Sequence, residues 1–127
     1  MPLKRIVLRL ARNPGFPDGD DDQGYILVAP LDADGQIDLQ AWRGQREACT
    51  VIRFHPDPDE HADGWLTHRG NKWRFRYDED DEGPDEPGYR LGEHDFRPGA
   101  YVTISHHGDE ALTYIVTEVA RAQGPAS

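Results

Sequence analysis

The chain has 127 residues, enough for one ordinary domain with a real core. Its 24 acidic side chains against 14 Lys and Arg give a formal net charge of -10, which opposes general nucleic-acid binding. Three Trp, five Tyr and four Phe are too many for a disordered chain, no apolar run approaches the roughly 18 residues of a membrane span, and the lone Cys49 excludes an intrachain disulfide.

In chain order, residues 4–12 read as a first strand, with Ile6, Leu8 and Leu10 on one face and Arg5, Val7 and Arg9 on the other. Charge alternates with aliphatics here and there is no continuous apolar core, so the N-terminus does not read as a signal peptide. Together with the single cysteine this places the protein in a reducing cytoplasm. Pro14, Gly15, Pro17 and Gly19 then break regular structure, and Asp20-Asp21-Asp22 reads as a loop. Residues 25–31, YILVAPL, are apolar on both faces, as in a central strand that ends near Pro30.

Asp32-Ala33-Asp34-Gly35-Gln36-Ile37-Asp38 copies the middle of an EF-hand loop but lacks both end ligands, because position one falls on Pro30 and position twelve on Ala41. It reads as a turn followed by a helix cap. Asp38 caps a helix predicted from Leu39 to about Glu47, two or three turns, with Leu39 and Trp42 on its buried side and Gly44 weakening it. Cys49, between Ala48 and Thr50-Val51-Ile52, is a small buried hydrophobe rather than a nucleophile. Residues 50–55 form the next strand, stopped by Pro56 and Pro58.

Residues 64–77, GWLTHRGNKWRFRY, are a hairpin around Gly70-Asn71. Trp73, Phe75 and Tyr77 alternate with Lys72, Arg74 and Arg76, giving one apolar and one cationic face. Two registers fit. A three-residue loop puts Trp65 and Thr67 with Trp73 and Phe75. A two-residue loop puts Leu66 and His68 there and leaves Trp65 among Arg74 and Arg76. The first is favoured, with Trp65, Trp73 and Phe75 in the core, because large aromatics bury roughly 150–250 Å² each.

Residues 78–88, DEDDEGPDEPG, form the longest stretch without apolar side chains and read as a mobile loop or solvated insertion. Order resumes at Tyr89-Arg90-Leu91, Pro98-Gly99 marks a turn, and 101–107 and 112–120 are two more strands joined at Gly108-Asp109. Residues 123–127 should fray. About seven strands and one short helix, without an internal repeat, predict a mostly β single domain spanning 1–127. The expected fold is a small antiparallel β-barrel, with a two-sheet sandwich as the alternative.

No cofactor motif is present, and no metal-ligand spacing connects His55, His61, His68, His94, His106 and His107. Ser105 and His106 are strand neighbours that project oppositely, so they cannot form a nucleophile and base pair. The runs GYILVAPLDADGQIDLQAW, GWLTHRGNKWRFRYD and YRLGEHDFRPGAYVTI resemble a small family of uncharacterised proteobacterial proteins over residues 1–120. The resemblance implies one cytoplasmic domain and no particular activity.

The charge is segregated: residues 1–13 and 69–76 carry four cations each and no acid, while acids crowd 18–38 and 78–95. The expected function is a non-catalytic binding module for a protein partner or small ligand. Its site would hold Arg74 and Arg76 with Asp78, Asp80 and Asp81 of the adjoining loop, and Trp65 joins them if the two-residue register holds. One alternative is a metal-assisted hydrolase using His94 and His106 or His107. Another is an acidic mimic that presents 78–88 to a cationic surface.

Overall fold

The computed structural model describes residues 3–69, 72–76, 86–87, 95–104 and 112–122. Strands β1 (Leu3–Leu10), β2 (Asp20–Pro30), β3 (Thr50–Phe54), β4 (Ala62–Arg69), β5 (Lys72–Arg76), β6 (Glu86–Pro87), β7 (Tyr101–Ile104) and β8 (Leu112–Arg121) form one antiparallel sheet in the order β6-β5-β4-β3-β2-β1-β8-β7. β6 is a two-residue pair against Arg74 and Phe75, within the stretch read as a loop, so seven strands have ordinary length. The sheet is single and curls into a half-barrel, and the sandwich alternative does not form. One helix, α1 (Leu39–Arg43), lies between β2 and β3.

Ring contacts require the curl. Tyr25 of β2 meets Phe75 of β5 at 5.3 Å between centroids, although those strands are three places apart in the sheet. Tyr25 also meets Tyr114 of β8 edge-on at 5.1 Å. Strands three places apart in a flat sheet are separated by about 14 Å, so such contacts need a concave face. That face is lined at alternate positions by Ile6, Leu8 and Leu10, by Tyr25, Leu27 and Ala29, and by Val51, Leu66, Phe75, Val102, Ile104 and Val116. Phe96, 2% exposed, packs into the same core, and its N–H donates to the Gly35 carbonyl at 2.8 Å.

Two irregularities in β1 add local bend. Between Val7 and Leu8 the partner on β8 jumps from Glu118 to Val116. Between Arg9 and Leu10 the partner on β2 jumps from Gly24 to Asp20. The second brings the backbones so close that a Cβ on Gly24 would fall on the Leu8 carbonyl oxygen, which is why only glycine fits there. It also corrects the expected Asp20–Asp22 loop. Asp20 accepts hydrogen bonds from the Asp22 N–H (2.9 Å) and the Gln23 side chain (2.8 Å), and Arg9 reaches the Asp21 carbonyl at 2.9 Å. The acidic residues therefore belong to the start of β2.

The turn after β2 is built as the sequence indicates. Asp32 Oδ1 accepts from the N–H groups of Asp34 and Gln36, Gly35 takes φ +84°, and Asp38 Oδ1 caps α1 at the Ala41 N–H, 2.9 Å away. The helix itself is shorter than expected, five residues instead of two or three turns. It stops at Gly44, and Arg46–Ala48 forms a 3-10 turn that returns the chain to the extended backbone of β3. Cys49 is fully buried, and burial pushes its thiol pKa up to about 11, which leaves it protonated and unreactive. Among the described residues no helix is long and apolar enough to cross a membrane.

Candidate functional site

The hairpin register corrects the favoured reading. Trp65 pairs with Arg76, Leu66 with Phe75, Thr67 with Arg74 and His68 with Trp73, so the two-residue register holds. Leu66 and Phe75 face the core, while Trp65 stands on the outer face beside Arg76 and is only partly buried. The reason comes from elsewhere in the chain. Trp42, 4% exposed, enters from α1 and covers the inner side of β4, where it packs edge-on against Trp73 (5.3 Å) and His68 (6.0 Å). Its indole N–H donates to the Leu66 carbonyl at 3.0 Å. The inward space that a third tryptophan needs is already occupied.

β3 pairs with β4 only as far as Thr50 opposite Trp65. Beyond that point the chain before β3 leaves the sheet as the 3-10 turn, and a cleft opens between this turn and the far half of β4. Its volume is about 610 Å³, and Arg46, Glu47, Trp65, Thr67, His68 and Arg76 are among its lining residues. Arg46, itself exposed, stacks on Trp42 with its guanidinium carbon 4.9 Å from the ring centroid. Such a contact at an exposed site contributes about 0.5–1 kcal/mol and holds the arginine at the rim. Arg43 lines an adjoining hollow that shares Arg46 and Glu47 with the cleft.

Arg46 and Arg76 line the cleft with one described carboxylate, Glu47, and Arg43 lines the adjoining hollow. Among the described residues the only ion pair joins Arg5 and Glu118 at 3.1 Å, so Arg43, Arg46 and Arg76 have no described carboxylate to neutralise them. This is a local cationic, aromatic-walled recess on a chain whose net charge is -10.

His68 sits at the inner edge of the recess, 4.7 Å from Trp73 between ring centroids. Burial, and then the charge of Arg43, hold its pKa below the ordinary 6.5. The sign of the linkage follows. Below pH 6.5 the unfolded chain takes up a proton that folded His68 resists, so this stability is full above pH 6.5 and declines as pH falls through the window beneath it. An NMR titration should place the His68 midpoint below 6.5, and His68→Gln should remove that part of the acid-side loss of stability. A midpoint at or above 6.5 contradicts this environment.

Of the residues singled out from the sequence, Trp65 and Arg76 meet in the cleft. Arg74 pairs with Thr67 in the backbone register, and its side chain lies outside the described residues. Also outside lie Asp78, Asp80 and Asp81, the Gly70-Asn71 and Gly108-Asp109 turns, Tyr89-Arg90-Leu91, Ser105, His94, His106, His107 and residues 123–127. Among the described residues no three His, Cys, Asp or Glu side chains gather into a group that could hold a metal ion. His55 and His61 are engaged locally, with the Asp57 N–H donating to His55 Nδ1 and His61 Nε2 donating to the His55 carbonyl. Arg46, Glu47, Trp42 and His68 were not recognised as site residues from the sequence. The available signal was Arg46 four places after Trp42, which puts a cation over an indole.

No protein-family model matches the chain, and neither does any curated protein or solved structure.

Proposed function

We propose that the protein is a non-catalytic binding module that takes an anionic partner in the cleft between β4 and the Arg46–Ala48 turn. The observation that carries this reading is the outward position of Trp65 beside Arg76, in a recess that Arg46 also enters. Trp65 supplies a flat, partly exposed ring for contact. Arg46 and Arg76 supply two guanidinium groups with no ion pair among the described residues, suited to carboxylate or phosphate oxygens. Trp42 and His68, with the buried Leu66 beside them, form a floor packed against the core, so the recess is held in shape before anything binds.

The test is a fluorescence titration with poly-L-glutamate, with poly-L-lysine as the control. Poly-L-glutamate should perturb Trp65 emission in spite of the net negative charge, and added salt should weaken the effect. Arg46→Glu combined with Arg76→Glu should weaken poly-L-glutamate binding at least tenfold and flatten its salt dependence, without loss of stability. Unchanged affinity in the double variant contradicts the proposal.

A further inference from the structure

The cleft runs beside main chain as well as side chains. Leu66 points its backbone groups away from β5: its N–H donates to the Cys49 carbonyl at 2.9 Å, and its carbonyl accepts from Trp42 Nε1 at 3.0 Å. Backbone direction alternates along a strand, so Thr67 turns its pair toward β5 and His68 turns its pair back to the cleft side. Were β3 continued backwards, residue 47 would meet His68. Instead the chain there is the 3-10 turn Arg46–Ala48. Among the described residues no hydrogen bond reaches the His68 N–H or carbonyl from that side.

We infer that the anionic partner is an acidic peptide segment in extended form, which adds to the sheet as a short strand beside His68. This rests on the anion-binding reading above and specifies its ligand. An incoming strand exchanges two hydrogen bonds with His68, and its side chains alternate between two faces. Those on the outer face lie with Trp65 and Arg76, where carboxylates are favoured. Those on the inner face lie against Trp42 and His68, where small or apolar groups fit. The open main chain is short, because Trp65 lies opposite Thr50 and both backbone groups of Leu66 are taken by Cys49 and Trp42, so the peptide registers on His68. A lone small anion would use the arginines and leave the His68 backbone untouched.

The experiment uses the full chain and a defined probe, acetyl-Glu-Val-Glu-Val-Glu-amide, followed by Trp65 emission and the backbone amide resonance of His68. Two analogues carry N-methyl groups on the valines or on the glutamates, and glutarate serves as the small-anion probe. The inference expects the parent peptide to bind and to shift the His68 amide proton downfield. One N-methyl phase should bind at least tenfold more weakly than the other, and Arg76→Glu should weaken the parent peptide. Equal binding of parent and both analogues, with the His68 amide unmoved, overturns strand addition but leaves anion binding standing. If neither peptide nor glutarate binds, both readings fail.

Discussion

Phe75→Ala should destabilise the protein by about 3–5 kcal/mol. Phe75 is fully buried, lies opposite Leu66 in the hairpin, and contacts Tyr25 across the concave face. Removing its ring opens a cavity where β5 and β2 meet, and that contact holds the curl of the sheet. The strands around it are pinned by their ladders, so the cavity cannot collapse freely. Chemical denaturation would read the loss as a lower midpoint with little change in slope. Phe75→Leu keeps most of the volume and should cost less than about 1.5 kcal/mol. A loss below 1 kcal/mol for the alanine variant contradicts the inward placement of Phe75.

Trp42→Ala should cost a similar amount, about 3–5 kcal/mol, but for a different mixture of reasons. The ring fills the space over β4, stacks under Arg46, and packs edge-on with Trp73 and His68. Its N–H also satisfies the Leu66 carbonyl, which no longer has β3 beside it. Trp42→Phe separates these contributions. It keeps an aromatic ring but leaves that carbonyl without a donor, and should cost about 1–3 kcal/mol from the unmet hydrogen bond. Both variants should also loosen the cleft floor, so poly-L-glutamate binding should fall in parallel. If Trp42→Phe matches the parent protein in stability, the indole bond does not hold the turn to β4.

Much of the fold was legible in local patterns. The alternation of Ile6, Leu8 and Leu10 against Arg5 and Arg9 identifies β1 and its inner face, and the apolar run at 25–31 identifies β2 as central. The Asp38 cap and the inert, buried Cys49 follow from a residue type and its neighbours. The hairpin register was not decidable in the same way. Both Trp65 with Thr67 and Leu66 with His68 make acceptable partners for Trp73 and Phe75. What selects between them is Trp42, more than twenty residues upstream, whose side chain claims the inner side of β4. A hydrophobic pattern within the hairpin contains no information about that competitor.

The helix length failed for a related reason. Residues 39–47 read locally as one helix, but Cys49 must present its carbonyl to Leu66 and Thr50 must start β3, so the chain unwinds after Gly44. That unwinding creates the cleft. The cationic face of Arg74 and Arg76 was visible in the alternation of β5, but Trp65 joins Arg76 only in the register that the hairpin pattern did not favour. Arg46 and His68 were hidden because their roles depend on the turn that replaces the end of the expected helix.

The measurement that tests the central claim most directly is charge-selective quenching of tryptophan emission at constant ionic strength, comparing iodide with caesium. Trp42 and Trp73 are 4% and 7% exposed, so the difference between the parent protein and Trp65→Phe isolates the partly exposed ring. A net charge of -10 would by itself draw caesium. The cationic cleft predicts the opposite, with iodide the stronger quencher of Trp65 and the preference reversed by Arg46→Glu with Arg76→Glu. Stronger quenching by caesium, or no quenchable component lost in Trp65→Phe, would contradict an outward Trp65 in an anion-binding recess.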